Sequence, residues 1–222
     1  MADINYPAYQ ENAVFQPGTG GVFFAPVGTE APTLTQLRTW VEGDRTKNIG
    51  TKWAPIGYTS LDELPGMGAD TEGGEKKGVW ENPDFRITPI TSTDTVSVKP
   101  VQWTEVPLSH RFGKGVTWDK ENGKVSVPKN YVPVEVALLV VILDGDRPLV
   151  LHFYRAASAP DGDLELDPEA FATLPVKYTV LNAEGASSRM TILGYHLQTK
   201  DTDSDGIPDG ADADTVVGES DQ

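Results

Sequence analysis

Cysteine is absent from all 222 residues. A disulfide framework and thiolate chemistry are thereby excluded, and folding in a reducing cytoplasm is suited though not required. Histidine is scarce: His110, His152 and His196 are each about forty residues from the next and form no HxH or HxxxH pair, so a zinc site has no basis. His152 and His196 fall in predicted strands, where a hydrogen-bonded structural histidine is the plainer role. No long hydrophobic run occurs; the longest, residues 136–143, is far short of the ~20 residues that cross a bilayer as a helix. The opening MADINYPAYQ lacks the basic patch and apolar stretch of a secretory signal. The reading is therefore a soluble chain with no membrane partner. Basic residues are few, 18 against 33 acidic, and a net charge of −15 excludes a protein that grips nucleic acid through its phosphates. No Gly-x-Ser-x-Gly elbow, phosphate loop or dinucleotide fingerprint is present, and Gly73-Gly74 is followed by charges instead of a helix. With so many carboxylates some pair falls close by chance, so an acid/base pair has no positive support. No catalytic residue is assigned, and no enzyme is expected.

What is present is a β pattern. Hydrophobic residues make up 38% of the chain, enough for one substantial core, and 22 Gly and 17 Pro are spread throughout, as turns between short strands require. Short runs of β-branched and aromatic residues bounded by turn formers predict strands at 21–25, 54–59, 85–90, 95–99, 101–108, 134–143, 148–155, 176–182 and 189–196. The strongest pair is 134–143 with 148–155, joined by Asp144-Gly145-Asp146-Arg147, whose Asp-Gly step accepts the positive φ of a tight hairpin. The run VEVALLVVIL is nearly continuous in apolar residues and implies burial on both faces; a buried helix competes, but length and Val/Ile content favour a strand. One short helix is predicted at 167–174, with Asp167 as cap, Pro168 in the first turn and Pro175 as terminator. Residues 62–77 (DELPGMGADTEGGEKK) show no apolar periodicity and predict a long flexible loop, a length that usually serves a function. Of the five tryptophans, Trp40, Trp53, Trp80, Trp103 and Trp118, burial in the core or at subunit contacts is a plainer account than a sugar-binding face.

Charge divides the chain. Residues 199–222 carry eight acidic residues and one Lys, a net of −7 that leaves −8 for the rest, and have too few large apolar side chains for a core. The expected organisation is an N-terminal arm over 1–19, a β-domain over 20–198 and an acidic tail over 199–222. Within the tail, DTDSDGIPDGAD places Asp201, Asp203 and Asp205 at loop positions 1, 3 and 5. Gly206 follows at position 6, the Ile207 carbonyl at 7, and Asp209 and Asp212 at 9 and 12. That is the spacing that wraps a calcium ion, although Asp at position 12 shortens the reach for bidentate closure. The phrase resembles thrombospondin type 3 repeats and, more loosely, dockerin loops. It stands as a single copy without the flanking helices of an EF-hand, and a solvated acidic tail is the alternative. Bound calcium is expected to order this tail on the outside of an assembly.

The order of elements resembles that of major tail tube proteins of long-tailed phages of actinobacteria. The resemblance is carried by GGVFFAPVGTEAPT (20–33), WAPIGYTS (53–60), RPLVLHFYRA (147–156) and DPEAFATLPVKYTVL (167–181), and spans about 20–197. It implies an all-β sandwich or barrel of the phage tail tube type with one short flanking helix, six copies closing into a ring, and rings stacking into a hollow tube. It also implies a structural virion protein, assembled in the host cytoplasm, whose partners are its own copies, a tape-measure protein, terminator and baseplate proteins. Genomic DNA would pass without specific binding, which an acidic lumen favours. In such proteins a long loop between early strands reaches the next ring, which assigns stacking to residues 62–77. The alternative is an extracellular calcium-dependent adhesion or carbohydrate-binding module, against which the absent signal counts.

Overall fold

The structure is a computed structural model and describes residues 14–164, 166–194 and 197. Its elements in chain order are β1 (Thr19–Ala25), α1 (Leu34–Glu42), β2 (Ala54–Pro55), β3 (Gly66–Glu72), β4 (Lys76–Val79), β5 (Asn82–Ile87) and β6 (Thr91–Val98), followed by α2 (Glu105–Phe112), β7 (Thr117–Asp119), β8 (Lys124–Ser126), β9 (Glu135–Asp144), β10 (Arg147–Pro160), β11 (Val176–Val180) and β12 (Met190–Gly194). The fold is β-dominated, as expected. One antiparallel sheet runs β2-β1-β9-β10-β11-β6-β3, with β12 added on β10, and two hairpins, β4–β5 and β7–β8, stand apart from it. The sheet curls so that the segment after β2 is tied to the segment after β6: Thr59 bridges Pro100, Ser60 N–H donates to Lys99 O at 2.9 Å and Val101 N–H to Tyr58 O at 2.9 Å.

Strand β9 organises the core because it is apolar on both faces. Its even residues Val136, Leu138 and Val140 face the inside of the curl, where they meet Val22, Ile56, Val98, Phe153 and Tyr178. Its odd residues Ala137, Leu139, Val141 and Leu143 face α1 and pack with Phe23, Leu37, Trp40, Val41 and Trp53. The β9–β10 hairpin closes through Gly145 at φ 63, with Arg147 paired to Asp144 as the expected turn requires. Strand β10 is fourteen residues long and changes register after Phe153; its first half carries β12 and its second half β11, so one long strand serves both ends of the curl.

Two helices lie among the described residues, neither where the sequence pattern placed one. α1 starts at a capping box: Thr33 Oγ1 accepts from Gln36 N–H at 3.2 Å and Gln36 Oε1 accepts from Thr33 N–H at 3.0 Å. It buries Leu37, Trp40 and Val41, spaced i, i+3, i+4, with Trp40 edge-on to Phe23 at 5.3 Å. α2 replaces the second half of the strand expected at 101–108. Pro107 cannot donate in a ladder but fits a first helical turn, and the helix buries Pro107, Leu108, His110 and Arg111. The helix expected at 167–174 does not form. Asp167 instead closes a tight turn, its Oδ1 accepting from Glu169 N–H at 2.9 Å, and Leu174 N–H is taken by Pro100 O at 2.7 Å. Between Pro168 and Pro175 too few residues remain to repay helix nucleation.

Three further expectations are corrected. Residues 62–77 are not a loop: most of them form β3, which pairs with β6 from Gly66↔Ser97 to Glu72↔Thr91, and the start of β4. The strand expected over 54–59 is regular only at Ala54–Pro55, and that over 85–90 begins earlier, at Asn82, and ends at Ile87.

Candidate assembly surfaces

The interior offers chemistry that is spent on structure. His110 is buried, and its Nδ1 lies 2.6 Å from the Tyr178 hydroxyl. Burial pushes the His110 pKa down to about 4, and burial followed by the charge of Tyr131 pushes that of Tyr178 up. Tyr178 is therefore held as a neutral donor to a neutral imidazole. Arg111 donates to Pro175 O at 2.7 Å and Gly162 O at 2.8 Å, tying α2 to the chain around β11. His152 donates from Nε2 to Thr29 O at 2.9 Å and sits edge-on to Trp53 and Tyr154. Burial lowers its pKa, against the Thr29 carbonyl and Glu30. Both histidines are thus structural core residues, although the buried Nδ1 of His152 has no hydrogen-bond partner among the described residues; His196 lies outside the described residues. Asp94, also buried, meets Arg189 at 3.1 Å.

Among the described residues no group of three or more His, Cys, Asp or Glu is placed to hold a metal, and no helix is long and apolar enough to cross a membrane. The calcium ligands expected from the sequence, Asp201, Asp203, Asp205, Ile207, Asp209 and Asp212, lie outside the described residues, as does most of the expected N-terminal arm.

The surface is where the structure is unusual. β3, β4 and β5 are exposed at every residue. Among the described residues β3 is an edge strand, bonded to β6 alone, and the β4–β5 hairpin is bonded to no other strand. This arm carries large apolar side chains into solvent: Met67, Val79, Phe85, Ile87 and Ile90, with Trp80 at the hairpin turn 97% exposed. Trp40 and Trp53 are buried in the core, with indole N–H groups donating to Lys47 O and Glu30 O at 3.2 Å each; Trp103 is partly exposed and Trp118 half-buried. Sequence reasoning placed the tryptophans in the core or at contacts without separating them; the signal for Trp80 is its isolation between Gly78 and Glu81, with Phe85-Arg86-Ile87 alternating after it. Near the root of the arm, a cavity of about 270 Å³ opens between the start of β1 and the 59–65 segment, lined by Pro17, Gly21, Leu61, Leu64, Pro65 and Ile142 among others. A broader cleft of about 560 Å³, sharing residues 19–21 and 59, runs toward Trp40, Tyr58 and Gln102. Gly20 is needed where β1 crosses β9, because a Cβ there would stand 2.2 Å from Val141 O.

An exposed sheet edge and an apolar arm on a curled β-sheet define a structural protein that is completed by contact with others. Comparison with known proteins gives the class its name. The chain matches the family model described as phage tail tube protein over residues 7–203. It is similar to the Major tail protein Gp23 of Mycobacterium phage D29, 35% identical over 179 residues, covering 80% of this chain and 89% of that protein. Its similarity to the Major tail protein Gp23 of Mycobacterium phage L5 is 34% over the same length, with the same coverage. The chain belongs to the phage tail tube protein family and is a structural component of the virion tail. The extracellular adhesion reading is not favoured by these relatives.

Proposed function

We propose that the protein forms hexameric rings which stack into the tail tube, and that the tube conducts DNA into the host without binding its sequence. The observation that carries this reading is the β3 edge, exposed along its whole length and with no second strand on its outer side among the described residues. An edge of this kind is a template for another strand, and closing a ring of copies removes it. The arm from Gly66 to Ile87 extends past the ring as the stacking contact, a role that the resemblance to tail tube proteins gave to residues 62–77, expected there as a loop. The charge of −15 suits a wall along which a phosphate polymer slides. Tape-measure, terminator and baseplate proteins meet the tube inside and at its ends. Electron microscopy of the concentrated protein is the test: six-fold rings or tubes are expected, and dispersed monomers under every polymerising condition would overturn the reading.

In the tail, Asp201, Asp203, Asp205, the Ile207 carbonyl, Asp209 and Asp212 bind calcium on the outside of the tube; the support is the completeness of the ligand register. Titration calorimetry with calcium checks it. Heat that is lost in the Asp203→Ala, Asp205→Ala variant is expected, and equal traces for the two proteins would remove the site.

A further inference from the structure

Resting on the reading of this chain as a tube-forming protein, we propose that the Trp80 hairpin of one copy plugs the apolar cleft between β1 and the 59–65 segment of a second copy. Three observations point to that occupant.

The first is that the hairpin is incomplete alone. A two-stranded hairpin is marginal in water unless a third element covers one face. Among the described residues β4 and β5 pair only with each other, and Trp80, Phe85 and Ile87 are 97%, 61% and 60% exposed. The second is charge. Lys77 stands directly opposite Arg86 in the register, a like-charge pair that destabilises the hairpin. Among the described residues neither has a carboxylate within ion-pair distance, whereas Lys76 meets Asp84 at 3.1 Å. The cleft supplies what they lack: its rim segment places exposed Asp62 and Glu63 between the lining residues Leu61 and Leu64. Glu63 is already paired with Lys99, and Asp62 has no such partner among the described residues.

The third observation is placement. The cleft lies at the root of the arm, where Pro65 lines it, and β3 then carries the chain away over seven residues, about 20 Å at the usual strand rise. A copy does not fill its own cleft, since no hairpin residue lines it. Tip and root are different patches, so the contact is head-to-tail. Such a heterologous contact propagates into rings or filaments instead of closing as a dimer.

The natural lack of cysteine makes the test clean. Two single variants, Trp80→Cys and Leu61→Cys, are mixed before assembly, oxidised, and examined by non-reducing gel and peptide mass spectrometry. A disulfide joining positions 80 and 61 of different copies is expected in assembled material. In parallel, Trp80→Ala is expected to raise the concentration needed for assembly about tenfold or more, the loss typical of a central aromatic anchor. Its monomer should melt as the unsubstituted protein does, because Trp80 touches no core. Tubes that form without the 80–61 disulfide would overturn this pairing and leave the tube reading intact. Failure of the unsubstituted protein to polymerise would overturn both.

Discussion

Acid is expected to destabilise this protein well before most of its carboxylates titrate, because two histidines are buried neutral against hydrogen-bond partners. His110 is the quantitative case. In the unfolded chain it takes a proton near 6.5, whereas in the fold burial holds it to about 4. Between these values the unfolded state binds a proton that the folded state refuses. Stability is therefore fully present above 6.5 and drains away as the pH falls toward 4. At 1.36 kcal/mol per pK unit, lowering the pH from 7.5 to 4.5 removes about 2.5 kcal/mol through this one side chain. His152, whose pKa is lowered by burial, adds to the loss in the same direction. The exposed carboxylates Asp44 and Asp119 and the half-buried Asp144 are all held below the ordinary 3.8 by hydrogen bonds, those from Thr46, Asn122 and Arg147 respectively leading, so their contributions fall outside this window. The assay is urea unfolding followed by tryptophan fluorescence at pH 7.5 and 4.5, below the concentration of assembly, with the unsubstituted protein beside His110→Asn. Asparagine accepts the Tyr178 hydroxyl but cannot titrate. The variant starts less stable at both pH values and is expected to lose about 2.5 kcal/mol less between them. Parallel losses in the two proteins would refute the assignment of the acid sensitivity to His110.

Leu139→Ala empties a fully buried position on the α1 side of β9 and is expected to cost about 3–5 kcal/mol in urea unfolding. Gly20→Ala forces a Cβ against Val141 O and is expected to lower the melting temperature by several degrees through loss of roughly 2 kcal/mol of β1–β9 pairing. Arg189→Ala leaves the buried Asp94 carboxylate without its ionic partner, an expected loss of about 2 kcal/mol read as a drop in the urea midpoint at pH 7; an unchanged midpoint would contradict it. Thr33→Ala removes the α1 capping box and is expected to cost about 1 kcal/mol, read as a drop in the urea midpoint.

The parts legible in the sequence were those in which local pattern and tertiary role coincide. The β9–β10 hairpin is one: VEVALLVVIL and the Asp-Gly turn specify strand, turn and two-faced burial in the same residues, and the register Arg147↔Asp144 follows. The β class was likewise legible in short β-branched and aromatic runs separated by Gly and Pro, and the structural role in the resemblance to tail tube proteins. α1 was overlooked although Thr33 and Gln36 mark its start, because its nine residues offer a single short apolar stripe beside many Gly and Pro. The segment 101–108 reads as strand by composition; Pro107 and the covering sheet made part of it a helix.

What the amino-acid sequence determines alone here is therefore local: which strands must be buried, where turns fall, and the sign of the charge. What only the tertiary structure decided is which polar and apolar groups find partners. A strand whose residues are all exposed, such as β3, has no period-two signal, because neither face packs on its own core and only pairing with β6 extends it. For the same reason Trp80 and Trp53 look alike in the sequence. One is sealed beneath β1 and β9 and the other stands in solvent, and that difference exists only once the sheet has curled and shown which side chains it leaves uncovered.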